Sequence, residues 1–225
     1  MFTGIIEAVG KVQQIAINQQ GARLTISTGS LDMSDVKLGD SIATNGICLT
    51  VVKMGGDYFA ADVSTETLKR TVLANYGCDQ PVNLEKAMLP TTRFGGHIVS
   101  GHVDGISVIN SVNQQGNSID YWLSMAPNIA PYIAEKGSIT IDGVSLTVNS
   151  VTADSFRLTI VPHTSGQTII PTYKAGTKVN VEVDVMARYI ERLLLTQENI
   201  NHTAPAGKYT GVTETLLKQS GFLKG

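Results

Sequence analysis

The chain has 225 residues, 42% hydrophobic and 16% charged, enough to bury one or two ordinary cores and too apolar for a disordered segment. Its formal net charge of -2, with no Lys/Arg run, argues against nucleic acid or an anionic membrane as a partner, because both demand concentrated positive charge. The start at Met1-Phe2-Thr3-Gly4 carries no basic segment and no apolar stretch, and no window approaches a membrane span, so a soluble, cytoplasmic protein is expected.

Taken in order, residues 47–52 and 57–63, then 103–112, 144–149 and 155–161, alternate apolar and polar positions over short runs and read as strands. Residues 30–36 and 127–134 each predict a short helical turn. Helical periodicity is scarce until residue 185, where Met186, Ile190, Leu193 and Leu194 recur at helical spacing with Arg188, Glu191 and Arg192 between them, an amphipathic helix. Its apolar stripe must be covered either by its own chain or by neighbouring subunits. Beyond Asn199 the tail is polar apart from Leu216, Leu217 and Phe222, and is expected to be loosely held.

The chain repeats itself without gaps at a shift of 97 positions, which lays Gly4 on Gly101, residues 39–51 on 136–148, Phe59 on Phe156, Thr67 on Thr164, and residues 82–85 on 179–182. Asn45-Gly46 and Asp142-Gly143 fall at equivalent places between apolar runs, and such dipeptides favour the two-residue hairpin turn with positive φ. About six short strands in each unit of roughly 90 residues predict an all-β protein of two homologous six-stranded antiparallel Greek-key barrels, plus the C-terminal helix. The expected divisions are residues 1–97, 98–187 and 188–225. The two cysteines, Cys48 and Cys78, occupy unmatched positions of the repeat, which argues against a disulfide framework.

A duplicated module implies duplicated sites, and differences between matched positions show where they diverge. In a strand, residues two apart share a face, so Cys48 with Thr50 opposes Leu49 with Val51, and Ser145 with Thr147 opposes Leu146 with Val148. One face is core and the other is polar. Taken alone Cys48 reads more often as a small buried hydrophobe than as a nucleophile, but it stands where the second repeat has Ser145, a swap that points to division of labour. His102, Lys136 and Asp184 match Ile5, Gly39 and Ala87, whereas Asp62 and Glu66 match Thr159 and His163, so the sites are expected to be asymmetric. The glycine-rich run at residues 95–104 precedes a strand rather than a helix, which disqualifies it as a dinucleotide loop. His97 and His102 are five apart in an extended segment and fall on opposite faces, His163 lacks a ligand partner, and His202 lies in the tail, so no metal site is expected.

With these residues in hand the chain resembles the riboflavin synthase family, through residues 1–5, 45–51, 65–68, 95–104, 136–148 and 161–164. The resemblance implies dismutation of two molecules of 6,7-dimethyl-8-ribityllumazine, one giving a four-carbon unit to the other, to riboflavin and 5-amino-6-ribitylaminouracil, by a transferase that needs no cofactor. It implies a homotrimer whose sites form between the first barrel of one subunit and the second of a neighbour, the C-terminal helix serving as trimer contact, and an association with lumazine synthase. The substrate-binding positions it implies are Phe2, Gly4, Ile5, Ile6, Cys48, Leu49, Thr50, Asp62, Val63, Ser64, Thr65, Glu66, Thr67, Gly101, His102, Val103, Lys136, Ser145, Leu146, Thr147, Ile160, Val161, Pro162, His163, Thr164 and Ser165. As to chemistry, it implies that His102 moves the proton of the acidic 7-methyl group, that Cys48 and Ser145 assist proton transfer or addition at C7, and that Thr50 and Thr147 orient the pyrazine ring. Lys136 and Asp184 would hold ribityl hydroxyls or developing charge, with Ser41 a further catalytic candidate near the ring.

Three rival readings differ in class. A non-catalytic lumazine or flavin carrier of the same family is expected to lose the binding residues of one repeat, and here both repeats keep theirs. A tandem oligonucleotide-binding barrel wants basic grooves and stacking aromatics, against one Trp, five Phe and a negative net charge. A flavin-dependent reductase needs an attached nicotinamide-binding domain, for which no sequence remains.

Overall fold

The computed structural model describes residues 1–203, with side chains to residue 195. Leu216, Leu217 and Phe222 lie outside the described residues. The first six strands are β1 (Ala8–Asn18), β2 (Gly21–Ser27), β3 (Ser41–Thr44), β4 (Ile47–Met54), β5 (Tyr58–Val63) and β6 (Pro81–Lys86). They close an antiparallel barrel in the order β1-β2-β5-β4-β3-β6. The strands β7 (Gly105–Gln115), β8 (Ser118–Ser124), β9 (Ser138–Ile141), β10 (Val144–Val151), β11 (Ser155–Ile160) and β12 (Lys178–Val183) close a second barrel in the same circular order. Both barrels belong to one compact unit, Met1–Ala187.

The cores correspond residue for residue. Val12, Leu24, Ile26, Val51, Phe59, Val82 and Leu84 fill the first barrel, and Ile109, Tyr121, Leu123, Val148, Phe156, Val179 and Val181, each 97 positions later, fill the second. Irregularities repeat as well. Register slips after Val12 and Val51 in the first barrel recur after Ile109 and Val148 in the second, at the bends that let six short strands close. The hairpin turns form as expected, with φ of 46° at Asn45 and 43° at Asp142.

Two short helices depart from the sequence reading. After β5 comes α1 (Thr65–Arg70), whose start is capped by the Ser64 hydroxyl accepting from the Thr67 amide, and after β11 comes α2 (Pro162–Gln167), opened by a proline at its first position. Each has only six residues, too few for a periodic pattern to register. Of the two helical turns expected, residues 127–134 supply a 3₁₀ turn at Ala130–Tyr132, while residues 30–36 make only isolated turns. The C-terminal helix α3 (Val185–Thr203) is longer than its apolar pattern, and Met186, Tyr189, Ile190, Leu193 and Leu194 all stand exposed on it.

A pseudo-two-fold axis relates the barrels. Phe2 and Val99, matched in the repeat, form an isolated antiparallel bridge with each other, Phe2 N donating to Val99 O at 2.8 Å and Val99 N to Phe2 O at 3.1 Å. Buried side-chain amides complete the junction in pairs: Asn83 Nδ2 donates to Asp142 O and Asn180 Nδ2 to Asn45 O, both at 2.9 Å. Each of these two amides, withdrawn from water, finds its acceptor across the axis.

Candidate functional site

The segments preceding β1 and β7 are exchanged between the barrels. Gly4 O accepts from Ser145 N at 2.8 Å, and Gly101 O accepts from Cys48 N at 2.9 Å. Beyond these contacts Ile6 packs against the second core and Val103 against the first. Glycine is required at both crossings: φ is +76° at Gly4 and +79° at Gly101, and a Cβ there would stand 2.6 Å from Ser145 Cβ or 2.7 Å from Cys48 Cβ. One carboxylate clamps each segment. Glu85 accepts from Thr3 N, Thr3 Oγ1 and Gly4 N at 2.7, 2.7 and 3.0 Å, and Glu182 accepts from Ser100 N, Ser100 Oγ and Gly101 N at 2.7, 2.6 and 3.0 Å. Burial raises both carboxyls above their usual range despite these bonds.

The exchange redistributes the residues that the repeat had sorted by module. Gly101, exposed His102 and Val103 border the strand of Cys48 and Thr50 on the first barrel, whereas Gly4, exposed Ile5 and Ile6 border that of Ser145 and Thr147 on the second. On the outer face of the first barrel Ser41 pairs with Thr50 and Ala43 with Cys48. The Cys48 side chain packs, partly buried, against the small buried cluster of Phe2, Ala43 and Val99, with Ala87 beside it. Asp62 follows on β5, its carboxylate held by the Arg23 guanidinium of β2, and the helix start at Ser64 and Thr65 leads to Glu66, which binds Arg70 at 2.8 Å, and to Thr67. Phe2, Leu49, Val63 and Ile160 point into apolar cores, so they bear on a ligand only through the backbone.

On the second barrel Ser138 pairs with Thr147 and Thr140 with Ser145. Val161, Pro162 and His163 are exposed along the start of α2, with Thr164 and Ser165 half-buried behind them and Leu146 packed on the core side. Lys136, exposed and at a φ of 64°, donates its backbone amide to Val148 O at 2.7 Å. Asp184 accepts from Met186 N at 3.0 Å at the start of α3.

His97 is the residue that the sequence reading missed as chemistry. Its Nδ1 lies 2.7 Å from Ser145 Oγ, its side chain is 8% exposed, and its Nε2 is buried with no partner among the described residues. Desolvation lowers its pKa, and the Asp184 charge opposes that shift. A neutral imidazole against a serine hydroxyl is the arrangement of a general base and its nucleophile. The repeat hid it, since the partner of His97 would precede Met1. A cavity of about 600 Å³ opens near Ser41 and Ile5, walled by Lys86, Met88, Leu89 and Arg93; of the residues named from the sequence it gathers only those two.

A family model described as "Lumazine binding domain" matches the chain twice, at residues 3–87 and 100–184. A riboflavin synthase of Photobacterium phosphoreum is 54% identical over 223 residues, spanning 99% of this chain and all of that relative. The chain belongs to the riboflavin synthase family. Further riboflavin synthases similar to it come from Bacillus subtilis, 41% identical across 99% of this chain and 100% of the relative, and from Saccharomyces cerevisiae, 40% identical across 88% and 89%. Crystal structures of LumP complexed with 6,7-dimethyl-8-(1'-D-ribityl)lumazine and with riboflavin share the fold, with TM-scores of 0.74 and 0.76 at 23% identity, covering 81% of this chain and 99% of LumP. Both family-model matches begin and end at positions 97 apart, so each synthase repeat carries one full lumazine-binding unit.

Proposed function

We propose that this chain is a riboflavin synthase, a transferase that takes two molecules of 6,7-dimethyl-8-ribityllumazine to riboflavin and 5-amino-6-ribitylaminouracil. The observation that carries the reading is the pairing of two like outer faces, each a hydroxyl row beside an exchanged segment, with a buried imidazole behind only one. Two copies of one substrate call for two like cradles, and opposite roles in the transfer call for unlike chemistry in them. Ser145, its proton accepted by neutral His97, adds to C7 of one pteridine or relays a proton from its 7-methyl group. Asp184 stabilises the imidazolium that results. On the other barrel Cys48 and His102 serve the second pteridine, and Thr50 and Thr147 orient the two rings. Fixing the reactants face to face replaces an encounter in solution and is worth about 7–11 kcal/mol of barrier.

The assembly follows as part of the same proposal. A trimer joins the first barrel of one chain to the second barrel of a neighbour, and the exposed apolar residues of α3 are covered by its partners. Two free thiols suit a cytoplasmic setting. An association with lumazine synthase would bring the substrate directly. The test is to mix the purified protein with the lumazine and follow riboflavin absorbance. Sustained turnover with one riboflavin formed per two lumazines is expected, and tight binding without turnover would make the protein a carrier instead.

A further inference from the structure

We propose that the cavity of about 600 Å³ on the first barrel is a separate binding site for a neutral pyrimidine rich in N–H donors, and that its ligand is the 5-amino-6-ribitylaminouracil released by the reaction. The identity of the ligand rests on the proposed reaction. The class of ligand rests on the cavity itself.

The cavity lies against β3 and β6 under a turn at residues 89–92, which closes through Leu89 N donating to Thr92 Oγ1 and Thr92 N to Leu89 O, both at 3.0 Å. Its volume is that of a small-molecule cleft, about 300–1,000 Å³. Val36, Met88 and Leu89 line it with apolar side chains that keep exposed surface, which suits a flat ring. Two of its rim residues adjoin the outer faces: Ser41 pairs with Thr50 on the first barrel, and exposed Ile5 follows Gly4, which binds the strand of Ser145. Product leaving either face meets the cavity at its edge.

Its polar lining is mostly acceptor. Glu7, Asp35 and Asp40 are exposed, and each engages one oxygen: Glu7 Oε1 accepts from Lys86 N at 2.8 Å, Asp35 Oδ1 from Lys86 Nζ at 2.7 Å, and Asp40 Oδ2 from Lys37 N at 2.9 Å. The second oxygen of each remains to accept from a ligand. Facing these carboxylates and buried Glu85 are two cations, Lys86 and Arg93, so the cavity repels an anion and favours donors. The ring of a lumazine or of riboflavin carries a single N–H. The aminouracil adds N–H at N1 and at both exocyclic nitrogens, which loss of the four-carbon unit uncovers, and Arg93 supplies donors for its carbonyls. The repeat marks the cavity as single, since Asp35, Asp40, Lys86 and Arg93 match Tyr132, Gly137, Val183 and Ile190, and the turn gives way to α3. A wall that the second barrel closes without is not needed for closing a barrel.

Calorimetry on the full chain, under argon and with riboflavin saturating the pteridine faces, tests this with the aminouracil as titrant. One site per chain is expected beyond those riboflavin fills, blocked by 5,6-diaminouracil and not by uracil, which lacks the exocyclic amino groups. The double variant Glu7→Gln, Asp40→Asn keeps an oxygen for Lys86 N and for Lys37 N but turns the open acceptor at each place into a donor. It should weaken the added site by about tenfold or more. Initial rates of riboflavin formation should be unchanged in that variant, which certifies the fold. No added site, aminouracil bound only in exchange for riboflavin, equal blocking by uracil, or an affinity unmoved in the double variant would overturn the inference while leaving the proposed reaction in place. Absence of riboflavin synthesis in wild type would instead overturn the reaction, and with it the choice of this ligand.

Discussion

In the first barrel the sulfur of Cys48 lies against Phe2, Ala43 and Val99, whereas in the second the hydroxyl of Ser145, at the matched position, is hydrogen-bonded to the buried ring of His97. Inside the barrels the copies agree more closely, since Phe59 and Phe156 are both wholly buried in equivalent cores. Selection on packing acts on both copies alike, because each barrel must fill the same volume. Selection on chemistry separates them, because the two pteridines must do opposite things. The outer faces are where duplication leaves room for that.

The comparison breaks most sharply at Ser145. Ser145→Ala and His97→Gln are each expected to lower kcat by about 10²–10⁴-fold, and the double variant to lose little more than either alone, because the two groups act as a unit. Additive losses, measured by riboflavin formation, would separate the imidazole from the hydroxyl. His97→Gln should also flatten the acid limb of the pH–rate profile, since imidazole protonation is what removes the base at low pH. Core truncation tests the other half of the comparison: Phe59→Ala and Phe156→Ala should each cost about 3–5 kcal/mol in denaturant unfolding, with little difference between them. Next come the clamps. Glu182→Ala frees Ser100 and Gly101 beside the Cys48 site, Glu85→Ala frees Thr3 and Gly4 beside the Ser145 site, and each should cost about 2–4 kcal/mol by leaving buried amides unpaired.

The last effect, confined to a pH window, concerns Asp142. Burial pushes its carboxyl up to about 7 in the folded chain, from an ordinary value of 3.8, against bonds from Tyr173 and Asn180 that work to lower it. Its folded pKa is raised, so stability is greatest below pH 4 for this group and is lost as the pH climbs towards 7, at no more than about 1.4 kcal/mol per pH unit. Asn45 holds the matched place with an amide, Oδ1 accepting from Asn83 N and Nδ2 donating to Tyr76 Oη, both at 2.7 Å. Asp142→Asn should therefore keep both contacts and flatten the pH dependence of unfolding between pH 5 and 7. An unchanged slope would show that Asp142 does not titrate in that window.

The duplication, the central hairpins, the β4 and β10 alternation and the C-terminal helix were legible in the sequence because each rests on local periodicity or on a turn dipeptide. The helices α1 and α2 were not, since their six residues are set by capping rather than by an apolar stripe. His102 was assigned to the second module by its position, but its segment crosses to the first barrel through contacts made across the pseudo-axis, which no alternation pattern encodes.

The crossing of Met1–Ile6 and residues 98–103 has a consequence for ancestry. Once each half came to lean its leading strap on the other, neither could be deleted, shuffled or inherited alone without leaving a neighbour's doorway unframed. A fragment ending near residue 97 would have to clasp a twin of itself to replace the lost strap. The interlock thus turns a reversible accident of copying into a ratchet: the two copies are free to specialise because they are no longer free to part.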